Sequence, residues 1–280
     1  MVEVGSLDQP LAAVTLRQLV AKDGFPLLVP TLTTFPVVPG VSGPGPGWKL
    51  VWADEFEGTE IDSAKWGYQT GGNGWGNNEL QYYTDRPENS FIEDGKLVIQ
   101  ARREDFNSRD YTSARMRSKG KGDWKYGRFE IRARLPEGQG IWPALWMMPT
   151  DDVYGGWAAS GEIDIMEHLG HEPDLVYGNL HFGGPWPNNL SSGAQTYRLP
   201  SGKFSDDFHV FALEWQEGEF RWYVDGIKFV TVNDWKQCES TCNPGDPGAP
   251  FPAPFDERFH FIFNVAVGGD WPGRPDETTV

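Results

Sequence analysis

Apolar side chains recur at every second position through the main apolar runs of this chain, and that period constrains its fold more than any other feature. In residues 127–135, Phe129, Ile131, Ala133 and Leu135 alternate with Arg128, Glu130, Arg132 and Arg134. This is the pattern of a strand with one buried and one wet face. Another apolar run, residues 96–102, follows an Asp94-Gly95 turn. The runs 208–216, 220–224 and 227–232 are punctuated by Glu217-Gly218 and Asp225-Gly226, which reads as a hairpin meander. Residues 259–267 are apolar on both faces, as a central strand of two packed sheets should be. No repeat with a period of about 20–50 residues is visible, which argues against propellers and solenoids. The fold expected is all-β, two antiparallel sheets packed as a sandwich or jelly roll.

Composition narrows the function. The 280 residues carry 24 Lys and Arg against 40 Asp and Glu, a net charge of −16. A field of that sign repels phosphate, so neither nucleic acid nor an anionic membrane is the expected partner. Gly (34) and Pro (22) are abundant and 13 tryptophans are present, which argues against a helical bundle and against general disorder. The uncharged run from Gly24 to Trp48 contains six prolines and would not hold a membrane-spanning helix. Glu3 and Asp8 stand where an export signal would need basic and apolar residues, so any such signal is expected to have been removed.

Residues 1–47 differ in texture from the rest and read as a Pro/Gly-rich N-terminal arm or linker. Within it, Leu11, Val14, Leu19 and Val20 suggest a turn or two of helix. Residues 48–280 read as one domain. The two cysteines, Cys238 and Cys242, share a short loop. A loop-pinning disulfide is preferred to zinc, for which no second Cys/His pair is at hand; free thiols stay open.

The most informative stretch is Gly161-Glu-Ile-Asp-Ile-Met-Glu-His168. Three acids interrupt an apolar β-type run. In a regular strand Glu162 and Asp164 share a face, and Glu167, five residues after Glu162, points the other way. One extra residue at Ile165-Met166, a β-bulge, would return Glu167 to the acid face, and bulges often re-aim side chains beside active sites. Three neighbouring carboxylates repel, so at least one holds or shares a proton near neutrality. Two carboxyl groups in different protonation states are what glycoside hydrolysis uses. The plainer reading, a solvated strand face, is weakened by the apolar flanks and by Trp142, Trp146, Trp157 and Trp186 nearby. A calcium site built from one strand would be poor geometry.

Glu162-Ile-Asp-Ile-Met-Glu167 resembles the signature of family 16 glycoside hydrolases, in the bulged form of the laminarinase-like endo-β-1,3-glucanases. Further segments resemble that family in its order: Trp52-Ala-Asp-Glu-Phe, Asn77-Asn-Glu-Leu-Gln-Tyr-Tyr-Thr, Thr112-Ser-Ala-Arg-Met-Arg-Ser, Trp124-Lys-Tyr-Gly-Arg-Phe-Glu and Gly140-Ile-Trp-Pro-Ala-Leu-Trp. So do Val224-Asp-Gly, Asn264-Val-Ala-Val-Gly-Gly and Trp271-Pro-Gly. The resemblance implies a β-jelly roll whose concave face is a glycan cleft. It implies Glu162 as nucleophile, Glu167 as acid/base and Asp164 as the residue that positions and tunes the nucleophile. It further implies retention of anomeric configuration, with the two carboxyl groups about 5–5.5 Å apart. Trp142 and Trp146, four apart in an extended segment, would stack on sugar rings. His181, Asn77 and Arg115 match polar cleft positions of the family.

The resemblance implies an endo-acting hydrolase of β-1,3-glucan, with side activity on mixed-linkage β-1,3-1,4-glucan, secreted and monomeric. No cofactor is expected to be required. The family's frequent calcium site, on the convex side, draws an oxygen from a closing strand after Trp-Pro-Gly that has no counterpart before Val280, which puts structural calcium in doubt. Unless residues 1–47 fill that strand's place, a sheet edge would lie open. Two alternatives remain: a non-catalytic β-glucan-recognition protein on the same fold, and a family member specific for another polysaccharide. Retention of all three acids favours an enzyme.

Overall fold

A computed structural model describes residues 48–238 and 248–279 in full and residues 11–21 by their backbone. Among the described residues there are strands and turns but no helix. Two large sheets and one small one contain them. The eight-stranded sheet runs Ile227–Val232, Glu219–Val224, His209–Gln216, Gly127–Arg134, Leu11–Ala21, Lys96–Ile99, Ser90–Glu93, with Trp48–Asp54 also paired to Leu11–Ala21. The nine-stranded sheet has Asn189–Ser191, Leu175–Gly183, Glu162–Glu167, Ile141–Pro149, Phe259–Val267, Arg115–Arg117 and Gly67–Tyr68 in order. Two short strands pair off this path. The third sheet, of three strands, contains a parallel pair, Gln81–Tyr83 against Arg109–Ser113. This small mixed sheet departs from the two antiparallel sheets expected.

The apolar alternation explains how the large sheets pack. Phe129, Ile131 and Ala133 face Phe211, Leu213 and Trp215 of the neighbouring strand within one core, together with Phe259, Phe261, Phe263, Val265 and Val267. Trp215 stacks on Phe220 at 5.7 Å and 9°. Each such aromatic side chain removed from water contributes roughly 1.5–3 kcal/mol before conformational entropy is counted. The strand Phe259–Val267 is buried on both faces along its whole length, as expected of a central strand.

Two expectations need correction. Residues Leu11–Ala21 form a strand, not helical turns. It pairs antiparallel with Gly127–Arg134, Trp48–Asp54 and Lys96–Ile99. It lies between Gly127–Arg134 and Lys96–Ile99, so neither has an open edge there. The partners are remote in sequence, and ladder hydrogen bonds outweigh a weak local pattern. Arg128 and Glu130, expected on a wet face, are also buried. Arg128 pairs with Glu130 at 2.7 Å and Glu214 at 2.9 Å, and lies over the Tyr223 ring at 4.9 Å. Cross-strand partners cover the charges and satisfy them. Cys238 is in a disulfide. Cys242 lies outside the described residues, as do residues 1–10 and 22–47 of the N-terminal arm.

Candidate active site

The strand Glu162–Glu167 is held between Ile141–Pro149 and Leu175–Gly183. Asp164 pairs with Trp146 on one side and Asn179 on the other. Met166 then pairs with Leu145, and Glu167 pairs with Ala144 and Tyr177. Ile165 has no counterpart, so the bulge expected from the spacing is present. Its effect on side chains is direct. Ile163, Ile165 and Met166 enter the core, while Glu162, Asp164 and Glu167 share the opposite face. Period two on the neighbouring strand places Tyr177, Asn179 and His181 beside them.

The three acids have different surroundings. Glu162 accepts the indole N–H of Trp157 at 2.7 Å, and Glu167 accepts that of Trp142 at 3.1 Å. Asp164 is almost wholly buried, and no hydrogen-bond donor reaches its Oδ2. Burial, then the charges of Glu162 and Glu167, push the Asp164 carboxyl well above its usual range, and it hydrogen-bonds Glu162. A proton on Asp164 shared with Glu162 is what such a buried pair requires. Burial and the charge of Glu162 raise Glu167 from 4.5 to about 8, against the opposing pull of the Trp142 hydrogen bond.

His181 completes the cluster. Its Nε2 lies 3.5 Å from Asp164 Oδ2 and 3.8 Å from Glu162 Oε1. The side-chain oxygen of Asn179 accepts from Leu180 N and Ser192 Oγ, so its amide nitrogen faces His181 Nε2 at 3.0 Å. That assignment makes Nε2 an acceptor and places the ring proton on Nδ1, which has no partner. Glu162, Asp164 and His181 offer ligand atoms within 4.8 Å of one another, so the carboxyl pair is also the place where three potential metal ligands meet.

The sequence profile of the glycosyl hydrolases family 16 matches residues 76–253. The chain belongs to that family. It is 48% identical over 243 residues to glucan endo-1,3-beta-glucosidase A1 of Niallia circulans, covering 81% of this chain and 35% of that protein. The chain thus spans about a third of that relative's length. It is 46% identical over 241 residues to a beta-glucanase of Rhodothermus marinus, covering 83% of this chain and 80% of that protein. The X-ray structure of the laminarinase from Rhodothermus marinus superposes with a TM-score of 0.73 at 45% identity, covering 84% of this chain and 93% of that one. The jelly-roll fold of this family 16 hydrolase follows from that match.

The residues singled out from the sequence of this hydrolase have the following surroundings. Glu162, Asp164, His181 and Glu167 are together. Trp142 and Trp146 share one face of Ile141–Pro149, half-buried. Arg115 lies between the rings of Trp75 and Trp146, at 4.6 and 4.7 Å. Asn77 is tied to Glu79: its side-chain amide donates to that carboxylate at 3.2 Å, and its main-chain carbonyl accepts from Asp270 N.

Several residues beside the acids are not among those expected from the sequence. Trp157, counted only as a neighbour, binds Glu162 directly. Tyr177 and Trp271 pack edge-on at 4.9 Å, and Trp271 meets Trp142 at 5.4 Å. Trp146 donates to Asn264 at 2.7 Å, Asn264 to the Tyr83 hydroxyl at 3.0 Å, and that hydroxyl to Glu79 at 3.1 Å. Tyr177 was within reach, since it stands four residues before His181 on one strand. The Trp146 relay was not, because it crosses three distant segments.

Proposed function

We propose that this family 16 glycoside hydrolase cuts internal β-1,3 linkages of laminarin-type glucan, and mixed-linkage glucan to a lesser extent, by a retaining double displacement. The observation that carries this reading is the bulge, which sets Glu162 and Glu167 on one face in unlike environments. Glu167, with its proton held to about pH 8, donates that proton to the leaving glycosidic oxygen. Glu162 attacks the anomeric carbon as a carboxylate and forms the glycosyl-enzyme. Once Glu162 is esterified its charge is gone, one cause of the raised Glu167 value disappears, and Glu167 becomes the base that activates water. The proton shared by Asp164 orients the Glu162 carboxylate, and the Trp157 N–H holds its second oxygen.

Substrate binding rests on the indoles. Trp142, Trp157 and Trp271 border the acids with flat apolar surfaces suited to the C–H faces of pyranose rings. The names of the relatives, glucan endo-1,3-beta-glucosidase and beta-glucanase, support the choice of glucan. A polymeric substrate together with a disulfide at Cys238 supports work outside the cell. Reducing-sugar release from laminarin is the test. The unaltered chain is expected to release sugar, and Glu162→Gln and Glu167→Gln to lower kcat by about 10³-fold or more. Binding to insoluble β-1,3-glucan without release would instead identify a recognition protein.

A further inference from the structure

A bulge takes backbone groups out of the regular ladder, and those groups need other partners when buried. The carbonyl of Asp164, at the bulge, accepts a hydrogen bond from Trp222 Nε1 at 2.9 Å. Trp222 belongs to Glu219–Val224, in the opposite sheet, and is fully buried. Its indole therefore crosses the core to reach the backbone beneath the acids. Room for it is made by Gly178, which stands directly opposite the bulge, between Tyr177 (paired with Glu167) and Asn179 (paired with Asp164). A Cβ at Gly178 would lie 2.6 Å from Trp222 Cδ1 and Nε1, a distance no side chain tolerates.

We propose that Trp222 is a positioning residue for the hydrolytic pair, fixing through the Asp164 carbonyl the bulged register that places Glu167 on the face of Glu162. The alternative register is a regular ladder, in which a one-residue slip would turn Glu167 toward the core. In a regular ladder the Asp164 carbonyl would point in the sheet plane toward a neighbouring strand and away from the indole, so the bond favours the bulged form. Gly178 and Trp222 act as a unit: the glycine opens the gap and the indole fills it. This inference rests on the reading of Glu162 and Glu167 as the catalytic pair.

The test uses two substitutions and a control. Trp222→Phe keeps a flat apolar ring and removes the N–H. Gly178→Ala keeps the N–H and drives the indole from its seat; the backbone there is not left-handed, so alanine is conformationally admissible. Phe129→Leu, in the same sheet two strands away, equally buried and without ring contact to Trp222, gauges the loss of core packing alone. Each is measured for melting temperature, for kcat and KM on laminarin, and for the alkaline limb of kcat. Glu167 faces Glu162 and Asp164 from its own strand, Trp142 from one neighbour and Tyr177 from the other.

Both Trp222→Phe and Gly178→Ala are expected to lower kcat by about 10²-fold, the cost of misplacing a reacting group by an ångström. KM should change little, and the alkaline limb should shift, because both the burial of Glu167 and its distance from the Glu162 charge change with the register. Phe129→Leu should lower the melting temperature and leave the limb in place. Trp222→Phe and Gly178→Ala enzymes with parental kcat and limb would overturn the proposal. If neither folds, the benzothiophene analogue of tryptophan at position 222 keeps the shape and removes only the donor. The same kcat loss is then expected, and an unchanged kcat and limb would overturn it. An active Glu167→Gln enzyme would instead sink the catalytic reading beneath it.

Discussion

Trp157 and Trp142 each donate an indole N–H to one of the two glutamates, yet the two bonds work differently. On Glu162 the donor orients an oxygen of the carboxylate proposed to attack. On Glu167 it favours the charged form, against the burial and the Glu162 charge that hold the proton on. With Glu167 at about 8, kcat is expected to fall on the alkaline side around that pH. Trp142→Phe removes the one contribution that lowers the Glu167 value. The limb should then move upward by about one unit, the equivalent of a hydrogen bond to a charged group. A kcat–pH profile whose limb stays or moves downward would contradict this balance. The glutamates themselves could be read from residue type and spacing. Their indole partners could not, because a tryptophan's N–H direction depends on its rotamer and on which strand lies beside it.

The bulge was readable from simple counting: Glu167 stands five positions after Glu162, and a strand alternates with period two. What holds the bulge was not readable, since Trp222 is 58 residues from Asp164 along the chain. Leu11–Ala21 shows the same limit. Leu11, Val14, Leu19 and Val20 fit no period well, and what makes the segment a strand is backbone pairing with three partners. Deleting residues 1–21 should unpair both Gly127–Arg134 and Lys96–Ile99 along one side. The melting temperature should drop, and amide exchange should accelerate in those two strands while staying slow in Ile141–Pro149. Unaltered protection in Gly127–Arg134 after the deletion would show that this pairing contributes nothing to the sheet.

Across the whole molecule, buried titratable groups oppose one another. His168 and His260 are lowered by burial from 6.5 to about 4 and about 3. The unfolded chain binds more protons there, so their stabilisation is present above about 6.5 and is lost as pH falls through those values. Glu167, Asp164 and Glu79 are raised chiefly by burial. Their stabilisation is present below the ordinary carboxylate range and, for Glu167, is lost as pH rises from 4.5 through about 8. The melting temperature should therefore peak between about pH 4.5 and 6.5. Glu167→Gln should flatten the alkaline decline and raise the melting temperature at pH 8, an active site relieved of its stored cost. A decline of unchanged slope in that variant would place the cost elsewhere.

The sandwich architecture, the hairpin meander and the central strand followed from hydrophobic period alone. The third sheet and the buried Arg128–Glu130 pair did not, because both depend on non-local partners. The most direct measurement is proton NMR of the anomeric signals released in the first minutes of laminarin hydrolysis. Retention, with the β-anomer appearing first and the α-anomer only as mutarotation proceeds, is the outcome expected if Glu162 attacks and Glu167 protonates. The α-anomer appearing first would mean inversion and a direct attack by water, and would contradict the role given to Glu162.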